Sequence, residues 1–359
     1  MSNTASFRLL VRGGMIIFWC ALIIIFLYSP LMRLLQPKKI ITVLTWTDMI
    51  DAELLTKFEK KTGVKVRLSY FENNEELFIK LLAGRAQGFD LIIPSDYIME
   101  KLIDNQLIMP IDRAKLSFWD RLNPELLGVY FDPKNHYSIP YHWAVYGLGL
   151  RTDVLPHSGP VSWKLLFDQT LPGKIAMLNS GREAVAIAAY YLYGALEKLS
   201  MEQQKEVYNL LVAQRPHVQA YVDADMRADY LLRSEQCNVA VVASPFIMNT
   251  LKQNRAINFE IPKEGGFLVL DNLVISRTTQ NSDAVYDFIN FLFEPEILKH
   301  HFHKYPFIPA TKELNQWLQD AGAPSSLIEA YRLPISSLHF FRLMTSDQQL
   351  NHLWMAIKV

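Results

Sequence analysis

The chain has 359 residues, half of them apolar, and its 36 basic and 36 acidic residues give no net charge. This length exceeds what one ordinary hydrophobic core fills, so about two domains are expected. Residues 1–39 hold five basic residues and no acidic one, which leaves the rest of the chain with 31 basic and 36 acidic residues, a net −5. An acidic body argues against a nucleic-acid partner and weakly favours a cationic ligand.

The first 39 residues are predicted to be a signal or anchor segment. Residues 15–28 form an unbroken apolar run behind Arg8 and Arg12, which is typical of an export signal or a membrane anchor. Only Ala21 and Ser29 offer small side chains for cleavage, so an uncleaved anchor is favoured over a cleaved signal. Basic residues on both sides of the run leave its orientation open.

The cysteines leave no internal disulfide in the exported body. Cys20 lies inside the apolar run, and the bulky residues before it disfavour a lipid anchor. Cys237 precedes a second apolar run at 239–242, so we expect a buried, unreactive thiol there and not a nucleophile.

Strands and helices alternate at the start of the body. A predicted strand over 41–46 is followed by Thr47 and Asp48, whose side-chain oxygens are suited to open a helix. The order then continues with a helix over 50–61, a strand over 64–70, a helix over 71–82, a strand over 90–94 and a helix over 97–103 capped by Ser95 and Asp96. This order predicts a doubly wound α/β sheet whose strand ends at 46–48 and 94–97 face one crevice.

A second α/β pattern follows an extended crossing segment over 137–150. Its predicted elements are a helix over 163–167, a strand over 174–178, helices over 183–199 and 201–213, a strand over 218–222, a helix over 226–234 and a strand over 238–243. The chain ends with a strand over 267–276, a helix over 282–293 that Pro295 limits, and short helices over 311–318, 325–331 and 347–357. The pattern predicts a second lobe with its own sheet.

Three carboxylates have two possible roles each. Asp48 either caps a helix or faces a ligand beside Trp46, which itself suits a core as well as a cleft. Glu183 forms a capping box with Ser180, a role that needs no ligand. Asp271 lies inside an apolar strand, where a carboxylate is costly without a partner, so either a bound cation or a neighbouring Asn or Tyr is expected.

No motif predicts catalysis, a cofactor or a metal. His300, His301 and His303 lie close together at the end of a predicted helix, where histidine complements the helix dipole, and no carboxylate or cysteine is spaced for a tetrahedral site. The chain has no nucleophile elbow, no phosphate-binding glycine loop and no zincin histidine pair. Enzyme function is therefore the weakest hypothesis.

Several motifs in order resemble the spermidine/putrescine-binding proteins of bacterial ABC importers. They are Thr-Trp-Thr-Asp at 45–48, Lys-Thr-Gly-Val-Lys-Val at 61–66, Phe-Glu-Asn-Asn-Glu at 71–75, Phe-Asp-Leu-Ile-Ile-Pro-Ser at 89–95, Tyr-Ser-Ile-Pro-Tyr-His-Trp at 137–143, Arg-Glu at 182–183, and Pro-Lys-Glu-Gly-Gly at 262–266 with Asp271. The resemblance implies a type II periplasmic-binding-protein fold with a ligand cleft between two hinged lobes. Their predicted boundaries are 40–144 with 268–308, and 145–267 with 309–359.

The resemblance also implies which residues bind the ligand. Glu183 and Asp271 match carboxylates that pair with polyamine ammonium groups, and aromatic faces between them suit the methylene segments. The implied ligand-binding residues are Trp46, Thr47, Asp48, Ser95, Tyr97, Trp143, Ser180, Glu183 and Asp271.

Four positions depart from the pattern of that family. Ala243 and Val269 stand where its members carry aromatic residues, and Met49 replaces a Tyr or a similar residue. Ser180 stands where the spermidine binders have an Asp. Each missing aromatic wall removes about 0.5–2 kcal/mol of cation–π contact unless another ring replaces it. The candidates for a replacement are Tyr70, Tyr305, Phe340 and Phe341.

These observations favour a non-enzymatic, monomeric solute-binding protein on the periplasmic side of the bacterial inner membrane. Its expected partners are a polyamine or related small cation and the membrane subunits of an ABC permease. One alternative is a sensor subunit that reports ligand binding to a membrane signalling protein. The other is a binder of a different small cationic solute.

Overall fold

The computed structural model describes residues 39–47, 49–155, 159–171, 173–224, 226–305 and 307–358, together with Met15, Phe18 and Trp19. The predicted signal or anchor helix, Cys20 and Asp48 lie outside the described residues. Within the described part of the chain, no helix is both long and apolar enough to cross a membrane.

Ten strands form one continuous sheet. They are β1 (Ile40–Trp46), β2 (Lys65–Phe71), β3 (Leu91–Ile92), β4 (Ile139–Arg151), β5 (Ile175–Leu178), β6 (Val218–Val222), β7 (Val239–Ala243), β8 (Ile257–Glu260), β9 (Phe267–Ile275) and β10 (His339–Phe340). The strand order is β2-β1-β3-β9-β4-β7-β5-β6, with β10 beside β9 and β8 beside β4. Neighbours are parallel within β1–β3 and within β5–β7, whereas β9 and β4 run antiparallel to their neighbours in this order.

Twelve α-helices lie in the described part of the chain. They are α1 (Ala52–Thr62), α2 (Asn74–Ala83), α3 (Met99–Asp104), α4 (Gly181–Tyr193), α5 (Met201–Gln214), α6 (Met226–Arg233), α7 (Ser244–Gln253), α8 (Ser282–Leu292), α9 (Pro295–Lys304), α10 (Leu314–Asp320), α11 (Ser325–Arg332) and α12 (Asp347–Lys358). Their apolar sides bury two clusters of side chains. The larger contains β1–β3 with α1 and α8, and the smaller contains one face of β5 and β7 with α4 and α5.

This arrangement confirms the predicted α/β class, with two halves joined by β4 and β9. The separate sheet predicted for the second lobe is wrong, because β9 pairs with both β3 and β4 and so makes the sheet continuous. We call β1–β3 with α1–α3 the first half, and β5–β7 with α4–α6 the second half. The residue boundaries given above for the two lobes stay a prediction.

Helix starts account for most of the differences from the sequence-based prediction. Helix α1 begins at Ala52 and is capped by Asp51, whose carboxylate accepts the Glu53 N–H at 3.0 Å, so the helix start predicted at Thr47 and Asp48 is wrong. Pro295 does more than limit a helix, because it is also the first residue of α9. Both proline and a capping carboxylate favour a helix start. Where several such residues lie close together, the local sequence does not show which of them begins the helix.

Two further differences lie later in the chain. Helix α4 ends at Tyr193, where Gly194 with φ 72° caps it, and not at Leu199. Helix α7 and strand β8 were not predicted, because the apolar pattern continues from β7 through Ser244 and Pro245 without a polar break.

Candidate ligand-binding cleft

Asp271 lies where strand β9 passes from one half of the sheet to the other. Residues Phe267 to Leu273 of β9 pair with β4, whereas Val274 and Ile275 pair with β3. In open α/β sheets such a change of strand neighbours is where ligands bind.

Both carboxylate oxygens of Asp271 have partners. The Ser95 hydroxyl donates to Oδ1 at 2.6 Å, and His142 Nδ1 lies 3.3 Å from Oδ2. Burial raises the pKa of Asp271 to about 7, although the Ser95 hydrogen bond and the nearby Trp46 indole N–H lower it. His142 does not compensate the charge, because burial and the neighbouring His301 lower the pKa of His142 to about 3 and keep it neutral. A buried carboxylate with neutral partners favours a cation beside it.

The side chains of Ser95 and Asp96 form hydrogen bonds with residues of β9 and do not cap a helix. Ser95 precedes a short 3₁₀ turn without capping it, and instead bonds to Asp271. Asp96 is buried and accepts the Leu270 N–H at 3.0 Å. Burial raises the pKa of Asp96 to about 7, and repulsion from Asp271 adds to the shift. The helix-capping role predicted for these two residues is therefore wrong.

The β1 corner contributes Trp46 to this end of the cleft. Its ring packs on Phe71 with 4.4 Å between centroids, and its indole N–H is buried without a well-formed hydrogen bond. This N–H nevertheless lowers the pKa of Asp271, so the β1 corner lies close to that carboxylate. Thr47 is exposed in the turn after β1, and Asp48 lies outside the described residues.

Glu183 lies in the first turn of helix α4, in the second half. The Ser180 hydroxyl accepts the Glu183 N–H at 3.4 Å, so Ser180 is the N-cap. The described residues show a complete capping box at Ser200 and Gln203, whereas at Ser180 only this one bond is present. Burial raises the pKa of Glu183 to about 8, with repulsion from Asp223 as the next cause, and Arg182 lowers it.

Arg182 connects the two halves of the molecule. Its guanidinium group stacks on the Tyr97 ring at 4.4 Å and lies 4.0 Å from Glu75 Oε1, both in the first half. The same guanidinium nitrogen lies 3.9 Å from Asp347 Oδ1. The other carboxylate oxygen of Asp347, Oδ2, accepts a hydrogen bond from Lys101 Nζ at 2.6 Å. Tyr97 therefore contacts a cation that belongs to the chain itself.

Three buried polar atoms near these carboxylates have no hydrogen-bond partner among the described residues. They are Trp46 Nε1, His142 Nε2 and Arg182 Nε. Buried polar atoms are normally paired, because leaving one unpaired costs about 1–3 kcal/mol. Such a cluster is consistent with a place where ligand or solvent completes the hydrogen bonding.

Trp143 lies on the other face of β4. It pairs with Leu270, alternates with His142 along the strand, and is 2% exposed with its ring edge against Tyr331 at 4.8 Å. Residues next to each other in a strand point to opposite faces. The structure therefore places Trp143 in the core and not beside Asp271.

The predicted replacement rings lie in four different places. Tyr70 is exposed, Tyr305 packs beside Lys304 and His301, and Phe340 packs on Tyr130. Phe341 is buried and contacts Tyr146.

The histidines of α9 surround Asp51 and not the cleft. His300 Nε2 and Lys304 Nζ each lie 2.8 Å from Asp51 Oδ2, and His301 Nε2 accepts the Asp51 N–H at 3.0 Å. The ligand atoms of Asp51, Glu53 and His300 lie within 4.8 Å of one another, which is close enough for a metal. However, the Lys304 ammonium already neutralises this group, which disfavours a second cation.

Sequence reasoning did not assign Asp96, His142, Tyr146, Arg182 or Asp223 to the site. Asp96 and His142 carried a usable signal, since a charged or ionisable side chain stands in an apolar context in each case. The position of Tyr146 depends on strand register, and that of Asp223 depends on the approach of the end of β6 to α4. A local sequence pattern contains neither kind of information.

Comparisons with known proteins agree with this geometry. The profile of the bacterial extracellular solute-binding protein family matches residues 53–325. The spermidine/putrescine-binding periplasmic protein of Escherichia coli K12 is 28% identical over 309 residues, which cover 80% of this chain and 88% of that protein. The putrescine-binding periplasmic protein SpuD of Pseudomonas aeruginosa is 31% identical over 279 residues, covering 73% and 75%. A solved structure of the spermidine/putrescine ABC transporter substrate-binding protein PotD of Streptococcus pneumoniae superposes with a TM-score of 0.73 at 25% identity, covering 89% and 98%.

The chain belongs to the bacterial extracellular solute-binding proteins, within the group of spermidine/putrescine-binding periplasmic proteins. The resemblance predicted from the sequence motifs is confirmed. The family is non-enzymatic, so the prediction that this chain is not an enzyme is confirmed as well.

Proposed function

We propose that this protein captures a polyamine, or a related small cationic amine, in the cleft between its two halves and delivers it to an ABC permease on the periplasmic side of the membrane. The observation that carries the proposal is the group of buried carboxylates at the cleft. Asp271, Asp96 and Glu183 all have pKa values raised by burial, to about 7, 7 and 8. An ammonium group among them would favour their charged forms and compensate their burial.

The carboxylates come from both halves of the molecule. Asp271 and Asp96 are held by β9 and the turn after β3, whereas Glu183 belongs to α4. A ligand with two separated ammonium groups can engage both sides at once, which would stabilise the closed arrangement by differential contact. Trp46 and Tyr97 supply aromatic faces suited to methylene segments and cations.

The transport role is supported by the relatives. Those named above are periplasmic binding proteins, and the Streptococcus pneumoniae protein is described as the substrate-binding protein of an ABC transporter. We propose that Trp46, Ser95, Tyr97, Glu183 and Asp271 surround the ligand, together with Thr47 and Asp48, and that Ser180 caps the helix that carries Glu183.

Calorimetric titration with putrescine, spermidine and spermine tests the proposal. Saturable binding is expected, and Asp271→Ala should weaken it about 10- to 150-fold because a charged hydrogen bond is lost. Asp320→Ala, which removes an exposed aspartate of α10, is the matched control and should leave the affinity unchanged. Folded protein that gives no heat with any of the three amines would refute polyamine binding.

A further inference from the structure

Tyr146 stands on the face of the sheet that carries Asp271. Along β4 and β9, His142 pairs with Asp271 and Tyr146 pairs with Phe267. On the other side of β4, Tyr146 pairs with Ala243 of β7. Directly paired residues share a face, and so do residues two apart along a strand. Tyr146 therefore rises from the same surface as the buried carboxylate.

The neighbours of Tyr146 differ between its two sides. Toward Asp271 they are small, because Ala144 pairs with Val269, and Ala243 of β7 lies directly beside Tyr146. On the side away from Asp271, Tyr146 pairs with the buried Phe267, and Phe341 makes an edge-to-face contact with its ring at 5.3 Å between centroids. The ring is therefore packed against aromatic side chains on one side and stands next to small side chains toward Asp271.

The Tyr146 phenol shares its face of the sheet with the Asp271 carboxylate. Burial raises the pKa of Tyr146 well above its ordinary value, and the charges of Glu183 and Asp271 raise it further. The phenol therefore stays neutral at physiological pH, with an oxygen that accepts hydrogen bonds.

The strand order places the ring across the path of a ligand. A line from Asp271 on β9 to Glu183, which follows β5, crosses β4 and then β7. Neighbouring strands lie about 4.8 Å apart. A ring that rises from β4 consequently stands about one strand spacing closer to Asp271 than a ring at position 243 would.

We propose that Tyr146 determines the length of ligand that the cleft accepts. Its ring fills volume that the third arm of a triamine would need, and its hydroxyl accepts a hydrogen bond from a ligand ammonium group held between the carboxylates. The cleft thereby selects a compact aliphatic diamine over a longer triamine. This inference rests on the proposed function and names the ligand class within it.

The test is calorimetric titration of the full chain with putrescine and spermidine. The wild type should prefer putrescine. Tyr146→Ala should weaken putrescine binding about 10-fold and shift the affinity ratio toward spermidine at least about 10-fold, because both the hydrogen bond to the hydroxyl and the filled volume are lost. Tyr146→Phe keeps the ring and should weaken both ligands about 3- to 10-fold with an unchanged ratio.

Tyr230→Ala is the control, because this tyrosine is 54% exposed on α6, and it should change neither affinity. If thermal unfolding shows that Tyr146→Ala does not fold, Tyr146→Leu should shift the ratio in the same direction. An unchanged ratio in a folded Tyr146→Ala or Tyr146→Leu variant, or a wild type that prefers spermidine, would overturn the inference while amine binding stands. A wild type that binds neither amine would overturn the proposed function and this inference with it.

Discussion

Two buried aspartates beside histidines have opposite electrostatic environments. Asp51 is 4% exposed and Asp271 is 7% exposed. Burial disfavours the charge of Asp51, yet hydrogen bonds from Lys304 and His300 hold its pKa far below the usual range. Burial disfavours the charge of Asp271 too, but its Ser95 and His142 partners are neutral, and its pKa is raised to about 7.

The difference separates a structural carboxylate from one suited to bind a ligand. Asp51 joins α1 to α9 and has its cation built into the chain. Asp271 lies at the junction of the two halves, and its described hydrogen-bond partners, Ser95 and His142, are neutral. Burial alone therefore does not indicate a binding site, whereas a buried carboxylate with neutral partners favours a bound cation.

The largest expected effect is that of Asp271→Asn on binding. The variant keeps the shape of the side chain and a hydrogen-bond acceptor for Ser95, but removes the charge that pairs with a ligand ammonium. Polyamine affinity should fall on the order of 100-fold. The free energy of unfolding at pH 8, measured by denaturant titration without ligand, should stay equal or rise by about 1–2 kcal/mol because a buried charge is removed. A clear loss of stability would show that Asp271 is structural, like Asp51.

Asp51→Asn should have the opposite pattern. It weakens the N-cap of α1 and the partly solvent-screened ion pair with Lys304, so the free energy of unfolding should fall by about 2 kcal/mol. Affinity of the folded variant for polyamine should not change. Weaker ligand binding with unchanged stability would contradict the distinction between the two aspartates.

Two single substitutions distinguish the role of Glu183 from that of Ser180. Glu183→Gln should weaken polyamine binding about 10-fold because it removes the carboxylate of the second half. Ser180→Ala should instead lower the free energy of unfolding by about 1 kcal/mol through loss of the cap of α4. Calorimetry and denaturant titration on both variants make the comparison. Equal effects on binding and stability in both variants would mean that Glu183 acts only within the cap.

The raised pKa values also predict a dependence of stability on pH. The values of about 7 for Asp271 and about 8 for Glu183 lie above the ordinary values near 4, so the folded protein binds more protons than the unfolded chain between about pH 4 and pH 8. This contribution to stability is present below about pH 4 and is lost as the pH rises through 7 and 8. The difference in unfolding free energy between Asp271→Asn and the wild type should therefore grow across this range, by about 1–2 kcal/mol. A stability difference between Asp271→Asn and the wild type that does not change with pH would contradict the raised pKa of Asp271.

Local patterns predicted the strands that build the cleft. Alternation gave β1 and β2 to within one residue, and the apolar runs gave β4 and β9. The contact between Ser95 and Asp271 was not predicted, because it depends on the antiparallel pairing of β9 beside β3.

The features that the sequence left undetermined depend on strand register and on competition between possible helix caps. Asp48 and Asp51 offer the same capping chemistry three residues apart, and long-range bonds from His300 and Lys304 favour Asp51. Trp143 and Tyr146 belong to one apolar segment, and only the pairing of β4 with β7 and β9 shows which of them shares a face with Asp271. Such pairings join residues far apart in the chain.

Proton release on ligand binding tests the central claim most directly. Polyamine is titrated calorimetrically at pH 7 in two buffers with different ionisation enthalpies, and the number of protons released is obtained from the difference in heat. Because Asp271 and Glu183 are partly or mostly protonated at this pH, binding of an ammonium ligand should release about one proton. Tight binding with no proton release would show that the ligand does not pair with the charged forms of these carboxylates, and would contradict the account.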